Sequence, residues 1–185
     1  TINISSPNTE SLRDFHEKKE LKQLINAINN EKKIHNSKIP IAVKISPDLD
    51  QKQIENVSEI LLENNIEVAI ISNSTDRNRE NLININKMER GGLSGKPIEK
   101  ISNKIINRFY NLIGKKIKII GVGGVDSAES VYEKIANGAT LVQIYTGMVY
   151  KGPQIATQIN KELIKILEKD GVKNLGQLIL SLIHI

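Results

Sequence analysis

An α/β fold built on a parallel sheet is what this sequence predicts, and two observations predict it. Five short runs rich in Ile and Val, at 1–5, 39–45, 68–72, 117–121 and 140–145, are each followed by a stretch of helical periodicity. Within the runs the apolar residues are nearly continuous, as suits parallel strands covered on the outside by helices. The boundaries between units are legible too. Asp50 with Gln53, and Asp126 with Glu129, have the spacing of capping boxes, which satisfy N–H groups that the first helical turn leaves unpaired. Gly114 and Gly138 stand where a left-handed residue is expected to stop a helix. Leu21, Leu24, Ile25 and Ile28, like Ile54, Val57, Ile60 and Leu61, each mark one apolar helix face.

Repeated β/α units close into a (β/α)8 barrel or spread into an open doubly wound sheet. An open dinucleotide-binding sheet would place G-x-G-x-x-G after its first strand. Gly121-Val122-Gly123-Gly124 has neither that spacing nor that position. A glycine-rich turn after a late strand, then a strand ending in Tyr145-Thr146-Gly147, suits the phosphate site that barrels build after their seventh and eighth strands. Five units are too few to close a barrel, so the expected architecture is an incomplete (β/α)8 TIM barrel. On this reading 1–179 are its C-terminal portion, about the last five units, and the missing units precede Thr1.

Composition narrows the function. The 185 residues are 39% hydrophobic and 25% charged, as expected of one globular domain, and no apolar run approaches the roughly 20 residues of a membrane span. There is no cysteine, which excludes disulfides, thiolate metal ligands and a thiol nucleophile within the chain. His16, His35 and His184 show no metal-ligand spacing and read as surface residues. The net charge of +5 comes mostly from Lys interspersed with Glu, and aromatics are only 3%, so no nucleic-acid surface is expected. An AT-rich genome, with its excess of Ile, Asn and Lys, accounts for the charge.

The chemistry gathers at the strand ends. Asn3-Ile4-Ser5-Ser6-Pro7-Asn8-Thr9 sets five polar side chains around one proline, and Ser72-Asn73-Ser74-Thr75 ends another strand in the same manner. Such runs also suit plain turns. Lys44, inside Ile41-Ala42-Val43-Lys44-Ile45, is costly in a strand unless it meets an anion. Together, at the tops of successive strands, these residues predict a catalytic mouth.

The segments Asn-Ile-Ser-Ser-Pro-Asn-Thr from Asn3, Val-Lys-Ile-Ser-Pro-Asp-Leu from Val43, Gly-Gly-Leu-Ser-Gly-Lys-Pro from Gly91, Ile-Ile-Gly-Val-Gly-Gly-Val-Asp-Ser from Ile119 and Leu-Val-Gln-Ile-Tyr-Thr-Gly from Leu141 follow one another in order. The chain thereby resembles the second half of the dihydroorotate dehydrogenases over roughly 1–179. The resemblance implies an FMN enzyme of pyrimidine biosynthesis that oxidises dihydroorotate to orotate. Ser6 matches the family's base, which takes a proton from C5 while hydride leaves C6 for the flavin. Class 1 members carry Cys at that place, so Ser6 points to class 2 and a quinone acceptor. Thr9, or a water held near it, is the candidate for relaying the proton onward. Asn3, Asn8, Asn73 and Ser74 match side chains that bind the substrate. For the cofactor, Asn3, Lys44 and Ser72 match positions at the flavin, and Gly95, Gly124, Tyr145 and Thr146 match those around its phosphate. No metal is implied.

Two departures stand out. The family usually has Thr at positions 72 and 74, where this chain has Ser, and a Gly in the lid where this chain has Glu10-Ser11. The family also implies an N-terminal helical segment that binds quinone and docks peripherally on a membrane, the bacterial cytoplasmic or mitochondrial inner one. Residues 180–185, Leu-Ser-Leu-Ile-His-Ile, read as the translation of a transposase adapter used in DNA library preparation, hence an artefactual tail. Genomic DNA encoding those residues would refute this. Alternative readings are another FMN barrel, such as a class 1 dihydroorotate or a dihydropyrimidine dehydrogenase, or a catalytically silent flavin- or phosphate-binding fragment.

Overall fold

A computed structural model describes residues 1–77 and 79–179; the expected tail at 180–185 lies outside the described residues. Strands β1 (Ile2–Asn3), β2 (Ala42–Ile45), β3 (Val68–Ile71), β4 (Lys118–Val122) and β5 (Leu141–Gln143) form one sheet. All pairings are parallel and the strands lie in chain order, so β1 and β5 are its edges. The five-stranded parallel sheet is that of a partial barrel, as expected. Helices α1 (Lys18–Ile34), α2 (Gln51–Glu63), α3 (Glu99–Ile113) and α4 (Ala128–Ala136) connect the strands, and α5 (Thr146–Lys151), α6 (Ile155–Lys169) and α7 (Leu175–Leu178) follow β5.

Alternation along each strand sorts the side chains between two faces. Val43, Ala69 and Ile119 share a register row and are buried against the helices, with Leu21, Ile25, Ile54, Val57, Ile60, Leu61 and Phe109. The predicted apolar faces of α1 and α2 are thus the packed ones; Leu24 and Ile28 sit at the margin. A second cluster, with Val131, Ile135, Ile159 and Leu163, covers the β5 end. The opposite row runs Asn3, Lys44, Ile70, Ile120, Leu141, and the chemistry faces that side.

Three local expectations are corrected. The box at Asp50 forms: its carboxylate accepts the Gln53 N–H at 2.8 Å while Gln53 Oε1 accepts the Asp50 N–H at 3.2 Å, worth about 1 kcal/mol. At α4 the cap is Ser127 with Ser130, one residue later than the expected Asp126 and Glu129. Asp126 is otherwise engaged, its carboxylate lying 3.4 Å from Lys96 Nζ and 3.7 Å from Lys151 Nζ. Gly138 takes the left-handed conformation expected of it, at φ 117°. Gly114 does not: its φ is −62°, and the turn continues with the Ile117 N–H bonded to the Ile113 carbonyl. Glycine is needed there because any Cβ would collide with the ring of Tyr110. His16, expected at the surface, is buried, because the 3-10 helix Glu10–His16 packs on α1 and α2. His35 is exposed beside Glu31, and His184 lies outside the described residues.

Candidate active site

Beyond β1 the chain turns sharply. Asn3 Oδ1 accepts hydrogen bonds from the Ser5 N–H (3.2 Å) and the Ser5 hydroxyl (2.9 Å), a short-range closure typical of Asn. Ser6 Oγ accepts the Asn8 N–H at 3.3 Å, which leaves its own proton free to be donated elsewhere. Thr9 precedes the 3-10 helix but its side chain does not cap it. The end of β3 is tied to this turn, since Asn73 Nδ2 donates to the Ser5 carbonyl at 2.8 Å.

A third loop closes over both. Gly92 lies so near Ser74 that a Cβ would strike its hydroxyl, and that Cβ would also stand 3.0 Å from Pro7 Cγ. The loop is anchored by paired backbone bonds between Thr75 and Leu93, and by Thr75 Oγ1 donating to Asp48 at 2.6 Å. Arg79 clasps its outer arc, donating to the carbonyls of Lys87 (3.0 Å), Glu89 (2.9 Å) and Gly91. Five donors on a planar fork let one guanidinium hold several carbonyls at once.

These loops bound a cleft of about 350 Å³ at the C-terminal ends of the strands. Lys44 and Ser72 form its floor. Lys44 is half-buried and makes no ion pair among the described residues. Ser72 is 2% exposed, and its hydroxyl has no hydrogen-bond partner among the described residues. A cation and a buried hydroxyl left open toward a cleft are groups a ligand would satisfy. The far wall is glycine-rich. A Cβ at Gly95 would come within 2.8 Å of Thr146 Cγ2, and Ser94 Oγ lies 2.8 Å from Thr146 Oγ1. Gly124 holds φ at 82°, and a Cβ there would collide with Glu99. Backbone N–H groups in such turns make cradles for anions. Gly124→Val is expected to lose several kcal/mol of stability, from strain and collision together, measurable by urea titration; an unchanged midpoint would contradict the crowding.

The cleft lining brings together Asn8, Lys44, Ser72, Asn73, Ser74, Gly95, Gly124, Tyr145 and Thr146 from the residues expected from sequence. Asn3, Ser6 and Thr9 do not line it; Asn3 and Ser6 belong to the adjoining turn and are tied to it through Ser5, Asn8 and Pro7. Gly92, Ser94, Gly123, Gln143 and Gly147 also line the cleft and were not singled out individually. All five stand inside the quoted motif segments, Gln143 and Gly147 in the one from Leu141; the place of Gln143 also follows from register, because it pairs with Val122.

The family model for dihydroorotate dehydrogenase matches residues 1–167. The chain belongs to the dihydroorotate dehydrogenase family. It is 43% identical over 180 residues to a dihydroorotate dehydrogenase (quinone) of Bartonella henselae, covering 95% of this chain and 49% of that protein. The mitochondrial dihydroorotate dehydrogenase (quinone) of Arabidopsis thaliana is 41% identical over 184 residues, covering 96% of this chain and 40% of the relative. A crystal structure of ligand-free DHODH from Eimeria tenella superposes with a TM-score of 0.91 at 31% identity, over 97% of this chain and 55% of that one. The chain thus spans about half the length of the dihydroorotate dehydrogenases it matches.

Proposed function

We propose that this chain supplies the C-terminal five β/α units of a quinone-dependent dihydroorotate dehydrogenase, which oxidises dihydroorotate to orotate and delivers the electrons to a quinone. The observation that carries the reading is the convergence of residues from all five β/α units on one cleft that leaves Lys44 and the buried Ser72 hydroxyl open to a ligand. Those open groups, with the glycine turns at Gly95 and Gly124, fit a flavin mononucleotide, whose ring end the floor residues would hold and whose phosphate the turns would hold.

Bound there, FMN supplies the hydride acceptor. Asn3, Lys44 and Ser72 would hold its ring end, and Gly95, Gly124, Tyr145 and Thr146 its phosphate. The lysine's fixed positive charge favours extra negative charge on whatever lies over it. Asn8, Asn73 and Ser74 offer amide and hydroxyl groups that read the substrate's donors and acceptors, with Asn3 at the margin. Rejection of a wrong ligand follows from leaving those groups unpaired. Ser6 takes the substrate proton. A hydroxyl is a weak base, so it must pass its own proton on as it accepts; Thr9, uncommitted as a cap, is the proposed next carrier. None of the helices among the described residues is long and apolar enough to cross a membrane. Quinone contact and peripheral membrane association are assigned, in this proposal, to the N-terminal helical segment that the family resemblance implies.

Lys44→Ala in the full-length enzyme is expected to weaken FMN retention or slow reduction by dihydroorotate about 10²-fold, the size of one lost electrostatic contact. Flavin absorbance of the purified protein and stopped-flow bleaching measure the two. Normal flavin content together with unchanged reduction kinetics would remove Lys44 from the site.

A further inference from the structure

Lys134 lies on α4, next to Glu133 in the sequence. In the fold it is fully buried. Its stem runs along β4, where the absence of a side chain at Gly121 makes room: a Cβ there would stand 3.2 Å from Lys134 Cδ. Among the described residues its Nζ hydrogen-bonds neutral oxygens only, Ser102 Oγ at 3.0 Å and Asn103 Oδ1 at 2.9 Å. Burial lowers its pKa to about 8, opposed by the nearby carboxylates of Glu99 and Glu133 and assisted by Lys96. At neutral pH the group is still an ammonium.

An ammonium only donates, so Ser102 must accept from it and send its own proton elsewhere. That proton goes to the Val122 carbonyl, 2.7 Å away. The same carbonyl takes the Ser72 N–H at 3.0 Å. Val122 immediately precedes Gly123 and Gly124, and a Cβ at Gly123 would sit 3.3 Å from Ser102 Cβ. The lysine therefore fixes the direction of one hydroxyl, and that hydroxyl holds the carbonyl from which the glycine turn springs. It also places a buried positive charge behind a turn whose open side faces the cleft.

We infer that Lys134 is a positioning residue for the phosphate-binding turn, acting through Ser102 on Val122, so that it governs affinity for the phosphate of the cofactor more than for its ring. The inference rests on the functional reading above. The test compares FMN with riboflavin, which lacks the phosphate, by flavin-fluorescence titration of the apo form of the full-length enzyme. In Lys134→Met and in Ser102→Ala, FMN affinity is expected to fall about tenfold or more, while riboflavin affinity changes less than twofold. Ser102→Ala keeps the charge and deletes one hydroxyl, so it preserves the test if Lys134→Met fails to fold. Equal losses for both ligands, or a preference for FMN that survives Ser102→Ala, would overturn the inference alone. A wild-type protein with no preference for FMN over riboflavin would overturn the functional reading and this inference with it.

Discussion

Ser6→Ala in the full-length enzyme is expected to slow reduction of the flavin by dihydroorotate by about 10²- to 10⁴-fold, the usual contribution of a positioned base. Orotate affinity should hardly change. In the structure Ser6 Oγ accepts the Asn8 N–H, so the hydroxyl is oriented by the turn and not buried among binding groups. Its loss removes a proton acceptor and one long, exposed hydrogen bond of the turn. Ser6→Cys should retain part of the rate, because a thiolate is an adequate base. Pre-steady-state bleaching in the absence of quinone isolates the step. A Ser6→Ala enzyme that bleaches at the wild-type rate would sink the assignment, whatever its steady-state behaviour.

The 185-residue chain expressed by itself is expected to self-associate or precipitate, to carry little FMN, and to show no dihydroorotate-to-quinone activity. Both edge strands, β1 and β5, present unpaired N–H and C=O groups, an open invitation to pair with another copy. Apolar side chains add to the tendency: Leu141 on the edge strand is 61% exposed, with Tyr145 and Val149 exposed just beyond it. Cofactor affinity should be far below that of a closed barrel, since only part of the wall is present. Gel filtration, flavin absorbance and a dye-reduction assay read the three outcomes. A monodisperse yellow monomer that turns over dihydroorotate would place the functional unit within this chain.

Strand order and cleft were legible in the sequence for a common physical reason. Apolar runs mark buried strands, and polar residues clustered where a run ends break that pattern so abruptly that packing does not account for them. Lys44 is the clearest case, a charge in a strand whose neighbours Val43 and Ile45 are fully buried. What escaped notice was decided by tertiary contacts. Lys134 looks like any lysine beside a glutamate, and only the bare strand at Gly121 makes room for its stem. Gly114 stands at a helix end, where a left-handed stop is the usual reason for glycine; here the reason is the ring of Tyr110. The α4 cap moved by one residue because Asp126 answers to Lys96 and Lys151, neighbours far away in sequence.

The strands lie side by side in the order in which they occur in the chain, and this bears on how the molecule assembles. Each strand finds its partner in the next unit to be synthesised, so every pairing closes a loop of one helix and its connections. The entropy of each closure grows only slowly with loop length. Assembly can therefore advance unit by unit as the chain leaves the ribosome, without waiting for distant segments. In a closed barrel, joining the first strand to the last is the one pairing of high sequence separation. That seam, and not any step inside this half, is where slow folding and misassembly should concentrate.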